Sequence, residues 1–547
     1  MLGSRAFLEL LTDEAVTHLF GNPGTTELPL MAAVPSRPDL TYVLGLQESA
    51  VVAMADGFAR ASGRLGVANV HVAPGLGNAI GSLFNAHWLG SPLLVTAGQH
   101  EIGHGVTEPM LYAPLEPLAR PVVKWSAEVT RLADLPRLVR RAVKTALAPP
   151  TGPVFLSLPG DVLDADEELD LGRSHRVVAA TRPSREVLAA MAARLLAAER
   201  PLIVSGHEVN TTEAIGPVAT LAELLGAGVY QDTIATAATF RSAHPCYLGR
   251  LGRDQADVAR RLSEHDVLLC LGTDLLRMSV PGPAPVPTGL PVLQIGEREA
   301  DLAKNYPTEL AVQANVRETV RALNEALRDR RTTEQADAAR RRCEELAQRG
   351  WAVERKRLVT ALDAQSGTGL TPELLMLRLA DVLPEDAVVV DEGLTSTGAL
   401  PKVLAQRDHR SYYGLASGGI GFAVAGAVGM RLAIPDRPLV AIIGDGSALY
   451  NIQALWTAAH HQLPMVYVIA NNGGYRILKQ RVRAWPGGDA YVGMSMDEPR
   501  VDFTALARSM GVRAERVEAA DQVGPALTAA LAHPGPSLLE VPLPDAP

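Results

Sequence analysis

The chain has 547 residues, 47% hydrophobic and 20% charged, and its 51 basic and 60 acidic residues give a net charge of -9. At about 100–200 residues per domain this is too long for one core, and no basic excess is left to meet nucleic-acid phosphates or an anionic membrane surface. The three cysteines, Cys246, Cys270 and Cys343, show no metal-like spacing and no disulfide framework, which suits a reducing compartment.

Met1–Phe20 reads as an amphipathic helix carrying Glu9, Asp13 and Glu14, not as a leader, and no run of about 18 apolar residues predicts a membrane span. The expected location is cytoplasmic. A helix over 4–19 ends in the loop Phe20-Gly21-Asn22-Pro23-Gly24. Strands are predicted at 42–46, 66–71 and 92–97, separated by helices at 50–61 and 77–88, and another strand follows at 154–158. A polar linker covers about 164–185. A second unit spans about 201–315, with strands at 202–205, 267–272 and 292–295. The Arg- and Glu-dense stretch 328–357 reads as a solvated helical connection. A third unit begins near Thr371, with strands at 387–391, 439–443, 465–470 and 537–541. Apolar strands alternating with helices predict an α/β protein of three doubly wound parallel-sheet domains, at 1–180, 181–335 and 336–547. A faint echo links Ala86–Val95 to Ala459–Val466, each a helix end, a turn and a buried strand. Shared α/β grammar and duplication explain it equally well.

Two strand ends carry the clearest chemistry. Gly444-Asp445-Gly446-Ser447 ends one apolar strand and Asn471-Asn472-Gly473-Gly474 ends another, so both fall at the carboxyl edge where open parallel sheets bind ligands. Asp445, the Asn472 amide oxygen and a backbone carbonyl at Gly474 form a hard-oxygen set of the kind magnesium takes alongside phosphate oxygens. Gly444 and Gly446 permit close backbone approach to a diphosphate, and a helix from Ser447 to Trp456 would turn its N-terminus to the anion.

With this motif stand Phe20–Gly24, Leu46-Gln47-Glu48, His71, Gly75–Ala79, Thr96–Gln99 and Ser417–Ala423. In these residues, over nearly its whole length, the chain resembles the decarboxylase and carboligase group of thiamine-diphosphate (ThDP) enzymes, and within it the benzoylformate decarboxylase family. The resemblance implies pyrimidine-binding, middle and diphosphate-binding domains, with ThDP and Mg2+ as cofactors. It implies that Glu48 meets the cofactor's pyrimidine and drives ylide formation; taken alone, Glu48 reads more readily as a carboxylate at a helix N-terminus, and the surrounding constellation reverses that. Ile420 would prop the cofactor in its bent form, the Gly418 carbonyl would accept from its aminopyrimidine, and Thr395 and Ser396 would donate to its diphosphate, near Tyr475. Leu394 stands where the family has a hydroxyl residue. His71 would protonate intermediates and Thr25 would bind the substrate carboxylate, against structural roles as a strand-end His and a helix cap.

The chain also departs from the family. No histidine occurs in Gly272–Ser279, where the family carries a second active-site His; Ser279 or a neighbour takes its place, and His100 and His104 read as solvated loop residues or, alternatively, as substitutes. Met110, Leu111, Arg476 and Ile477 replace an aromatic pocket, and Arg476, Arg481 and Arg483 could meet an anionic tail or simply face solvent. Three readings follow. The first is non-oxidative decarboxylation of a small-molecule 2-oxo acid through an ylide and an enamine. The second is a carboligase of the acetolactate synthase or benzaldehyde lyase type. The third is a non-catalytic homologue, against which the intact Glu48, Asp445 and Asn472 speak. The family's shared sites imply a homodimer or homotetramer with active sites at the subunit interface.

Overall fold

The computed structural model describes residues 1–273, 282–364, 369–488 and 490–545. Three six-stranded sheets form the framework, and the strand pairs with defined register are all parallel. The central strands are continuous buried apolar runs, such as Leu93–Gln99, Leu439–Gly444 and Val466–Asn471, as sheets covered on both faces require. The chain forms two compact units, one of Met1–Val178, Val390–Thr395 and Leu415 onward, the other of Ala179–Val389 and Ser396–Gly414.

In the first sheet the spatial order is Thr41–Leu44, His18–Gly21, Gly66–His71, Leu93–Gln99, Val154–Pro159, Trp125–Glu128. In the third it is Tyr412–Gly414, Val388–Glu392, Leu439–Gly444, Val466–Asn471, Ser537–Pro542, Arg513–Arg516. Numbered by order in sequence, these are the same topology. The echo between Ala86–Val95 and Ala459–Val466 therefore falls on strands with the same place in two equivalent sheets. The middle sheet runs Leu310–Gln313, Val292–Gly296, Val267–Leu271, Pro201–Ser205, Gly228–Gln231, Tyr247–Arg250. Its first strand is central, with successive strands added on either side, the dinucleotide-fold order.

The N-terminal helix is shorter than expected. It spans Gly3–Asp13, and His18–Gly21 is a strand rather than helix and loop. Ala15 takes φ 62°, and Glu14 turns inward to Arg140 Nη1 at 2.6 Å, with Arg176 at 2.6 Å on its other oxygen. A partner 126 residues away thus fixes where this helix stops. The Arg- and Glu-rich connection resolves into the helices Val316–Arg330, Thr333–Ala347 and Trp351–Asp363.

Within the first unit, helix Glu48–Ser62 lies directly on helix Phe422–Ala433. A Cβ at Gly429 would fall 1.8 Å from the Met54 carbonyl oxygen, so only glycine allows this approach. Arg60 covers the Phe422 ring, 4.6 Å from its centroid.

Candidate active site

In the first sheet the order reverses between His18–Gly21 and Gly66–His71, which opens a crevice at their carboxyl ends. The chain leaving Gly21 forms a short 3-10 turn, Thr25–Glu27. Glu27 is 0% exposed and fully employed. Its Oε1 accepts from Gly98 N–H at 2.7 Å, and its Oε2 accepts from Gly24 N–H at 3.0 Å and pairs with His71 Nδ1 at 2.7 Å. Thr26 Oγ1 lies 3.2 Å from the same ring nitrogen. A Cβ at Gly24 would come within 2.2 Å of the His71 ring, and one at Gly98 within 2.1 Å of Glu27 Oε1, so two glycines make room for the pair. From the sequence, Glu27 was placed only beside a helix cap at Thr25 and missed as the partner of His71. Its signal was Gly24-x-x-Glu27, a capping-box spacing with the carboxylate returning to the first amide.

The Glu27 carboxylate raises the His71 pKa above the ordinary imidazole value; partial burial opposes this and Glu48 adds to it. The pair therefore stabilises the fold fully below the unfolded imidazole value, and that contribution is lost as pH rises through the raised folded value. In Glu27→Gln the alkaline limb of kcat/KM, measured from pH 5 to 9, is expected to move to lower pH, with kcat down about tenfold or more. A limb at the wild-type position would remove Glu27 from this role. Thr25 is exposed in the same turn.

Glu48 opens its helix behind a Gln cap, in which Gln47 Oε1 accepts from Ser49 N–H at 2.5 Å and Ala50 N–H at 3.2 Å. Glu48 is partly buried, and its Oε2 accepts from Asn78 Nδ2 at 3.0 Å. Its Oε1 faces the Gly75 backbone and has no hydrogen-bond partner among the described residues. One oxygen is thus anchored while the other can meet a ligand.

The third sheet reverses between Val388–Glu392 and Leu439–Gly444. Asp445, 3% exposed, begins the next turn, with Oδ1 accepting from Gly446 N–H at 2.9 Å and Oδ2 from Gly474 N–H at 3.0 Å. Burial pushes its carboxyl up, against the pull of the Gly446, Gly474 and Gly473 amides. Asn472 Oδ1 accepts from the same Gly474 N–H at 3.2 Å, so Asp445, Asn472 and Gly474 converge. Gly446 packs on the Tyr475 ring, where a Cβ would fall 2.6 Å from Cε1. The helix expected from Ser447 to Trp456 is broken. Asp445–Ala448 and Ala454–His460 are separate, because Asn451 leaves the helical path to donate to the Gly421 carbonyl.

Glu392 is a second acid that the sequence reading passed over. It is 1% exposed, and its two oxygens accept from Gly421 N–H and Ala423 N–H at the start of helix Phe422–Ala433. Burial pushes its carboxyl up to about 7, against those amides and the Ser447 hydroxyl. Its signal was an acidic residue ending a buried parallel strand, as at Asp445. Glu392 ties the Gly418–Ile420 loop to the Asp445 turn. Asn85 adds a contact from the first sheet's side, its Nδ2 donating to the Gly419 carbonyl at 2.9 Å and its Oδ1 accepting from Ser417.

The remaining expected residues scatter. Ile420 is half-buried and Gly418 exposed, at φ +90°. Leu394, at φ +50°, precedes a half-buried Thr395. Ser396 is buried and belongs to the second unit. Met110 is 86% exposed, and Leu111 is exposed at φ +70°. Arg476 is buried, and its Nη2 donates to the Pro544 carbonyl. Ile477 beside it is half-buried. Ser279 lies outside the described residues.

These residues fit a diphosphate cofactor with a divalent cation. A Cβ at Gly418 would meet nothing within 4 Å, and one at Gly444 nothing nearer than 3.8 Å, which leaves the backbone open to a ligand. The oxygens of Asp445, Asn472 and Gly474 are the hard donors magnesium prefers.

Family models agree along the chain: the thiamine pyrophosphate enzyme N-terminal TPP-binding domain at residues 1–110, the central domain at 188–323 and the C-terminal TPP-binding domain at 396–541. The chain is 35% identical over 543 residues to a benzoylformate decarboxylase of Pseudomonas aeruginosa, covering 98% of each. It is 26% identical to the acetolactate synthase isozyme 3 large subunit of Escherichia coli, covering 87% of this chain and 83% of the relative. The solved structure of a thiamine diphosphate-dependent 4-hydroxybenzoylformate decarboxylase from Rhodococcus jostii matches with TM-score 0.87 and 33% identity, covering 100% and 99% of the two chains. The two reversal points, each with a buried acid, and these matches along the whole chain make it a member of the thiamine-diphosphate-dependent decarboxylase and carboligase family, with thiamine diphosphate as its cofactor.

Proposed function

We propose that the protein is a lyase that releases carbon dioxide non-oxidatively from a 2-oxo acid of the arylglyoxylate class, the class named for its benzoylformate-cleaving relatives. The observation that carries this is the Glu27–His71 pair, a protonatable imidazole held at a ligand-binding edge one turn from the Thr25 hydroxyl. Bound ThDP supplies the electron sink that lets the bond to carbon dioxide break. Asp445, Asn472 and the Gly474 carbonyl hold Mg2+. Gly444, Gly446, Ser447, Thr395 and Tyr475 would contribute to the diphosphate site. Ile420 and the Gly418 carbonyl would seat the pyrimidine, and Glu48, whose Oε1 faces the Gly75 backbone, would be the carboxylate that meets it. Thr25 Oγ1 orients the substrate carboxylate, and His71 delivers a proton once carbon dioxide has left.

The test is carbon dioxide release from a panel of aryl and alkyl 2-oxo acids with ThDP and Mg2+, with and without an acceptor aldehyde. Release without acceptor supports the proposal. Product only with acceptor supports the carboligase reading, which the absence of His from the sequence Gly272–Ser279 favours by slowing protonation. Cofactor binding without turnover on any substrate would point to the non-catalytic reading.

The same proposal includes a cytoplasmic homodimer or homotetramer with shared sites, and pyrimidine-binding, middle and diphosphate-binding domains at 1–180, 181–335 and 336–547. The three sheets and three family matches support three domains, while the second compact unit runs on past 335 to Val389. Co-expressing Glu48→Gln and Asp445→Asn chains is expected to restore about one quarter of wild-type activity, since half of randomly paired dimers are mixed and each holds one intact site of two. No recovery would assign both halves of a site to one chain, the arrangement in which Asn85 reaches Gly419.

A further inference from the structure

The second unit brings together two cysteines that the sequence keeps 97 residues apart. Cys246 Sγ and Cys343 Sγ lie 3.4 Å from each other. Cys246 immediately precedes the strand Tyr247–Arg250 and is 0% exposed, in the core around Phe240, Tyr247 and Trp351. Cys343 lies on the helix Thr333–Ala347 and is half-buried at the edge of that core. The helix is pressed tightly onto its support. A Cβ at Gly226 would fall 2.5 Å from the Ala339 carbonyl oxygen, and one at Gly350 would fall 3.0 Å from the Tyr247 carbonyl oxygen. Packing on both sides of Cys343 therefore holds the sulfurs together, within reach of a side-chain rotation that would bond them.

We propose that Cys246 and Cys343 are a reversible oxidation site that closes to a disulfide when the protein meets a peroxide. The roles of the two sulfurs differ. The hydrogen-bonded contact with Cys246 holds the Cys343 thiol below its ordinary pKa; burial opposes this, Glu223 and Glu344 oppose it, and Arg342 assists. The contact with Cys343, together with burial, holds the Cys246 thiol above its ordinary value. His244 Nδ1 accepts from the Cys246 backbone N–H at 3.2 Å and fixes the turn that carries it. Cys343 is also the more accessible of the two, so it is the attacking thiolate.

Its Sγ attacks one oxygen of hydrogen peroxide, the O–O bond breaks, and the departing hydroxide leaves as water after taking up a proton. Cys343 is then a sulfenic acid, oxidised by two electrons. Cys246 Sγ attacks that sulfur, the S–S bond forms, the S–O bond breaks, and hydroxide leaves with the Cys246 proton as a second water. Two thiols and one peroxide thus become one disulfide and two waters, and a dithiol reductant reverses the change. Cys270 is the internal control: it is 1% exposed in the strand Val267–Leu271, and burial raises its pKa well above the ordinary thiol value.

The experiment treats the reduced holoenzyme with graded hydrogen peroxide, blocks remaining thiols with iodoacetamide under denaturing conditions, and maps the peptides by mass spectrometry. The expected result is a loss of about 2 Da in the unblocked protein, one crosslink joining the Cys246 and Cys343 peptides, Cys270 still alkylated, and full reversal by dithiothreitol. In Cys246→Ser the crosslink is expected to vanish while dimedone traps a sulfenic acid at Cys343. In Cys343→Ser, oxidation at Cys246 is expected to slow at least about tenfold. Wild-type protein in which Cys343 proceeds to sulfinic acid without crosslinking, or pairs only with a second molecule, would overturn the proposal whatever the variants do.

Discussion

Glu48→Gln is expected to lower kcat by about 10³-fold while ThDP binds within about tenfold of wild type. The reason lies in the two oxygens of this carboxylate. Oε2 accepts from Asn78, and a glutamine carbonyl can take over that bond with the helix start unchanged, since the cap is made by Gln47. Oε1 lies against Gly75 without a partner among the described residues, and there the variant presents an amide nitrogen, which cannot accept and return a proton. A loss confined to kcat is the signature of an interaction made on the way to reaction and absent from ground-state binding. Carbon dioxide release and a fluorescence titration with ThDP separate the two quantities. Activity within tenfold of wild type would end the assignment, and loss of ThDP binding with kcat intact in the bound fraction would make Glu48 an anchor only.

What the sequence reveals about this site follows a physical division. Gly444–Ser447 and Asn471–Gly474 were legible because buried parallel strands are plain apolar runs, and their polar ends stand out at the edge where ligands bind. Glu48 and His71 were read from the family resemblance, since Glu48, following Gln47 beyond the strand Thr41–Leu44, and His71, ending Gly66–His71, each suit a structural role when taken alone. Glu27 and Glu392 were not, because their meaning lies in amides and rings far along the chain. Glu27 meets partners 44 and 71 residues away, and Glu392 meets amides 29 and 31 residues away. The same blindness hid the strand His18–Gly21, since a helix pattern carries no mark of Arg140, and it hid the contact of Cys246 with Cys343. Arg476 shows the converse: a cation close after Asn472 left an anion receptor and a solvated face both open, and the fold instead buries it with Nη2 on the Pro544 carbonyl.

Asp445→Asn should cost more in cofactor assembly than in the rate of any site that still fills. Both carboxylate oxygens already accept backbone N–H groups, from Gly446 and Gly474. An asparagine must turn its NH2 toward one of those donors, so the variant loses the charge and also sets two donors against each other in a site only 3% exposed. Gly474 is strained most by this, because it is shared between Asp445 and Asn472 and is closely packed on the far side, where a Cβ would fall 2.3 Å from the Met494 carbonyl oxygen. Mg2+ affinity, read from the metal dependence of ThDP binding by calorimetry, is expected to fall at least about 100-fold. High Mg2+ should restore part of the activity of Asp445→Asn and none in Glu48→Gln, because only the first defect is one of occupancy. An Asp445→Asn protein that binds ThDP at wild-type Mg2+ concentrations would remove Asp445 from the metal site and with it the reason for a carboxylate at this strand end.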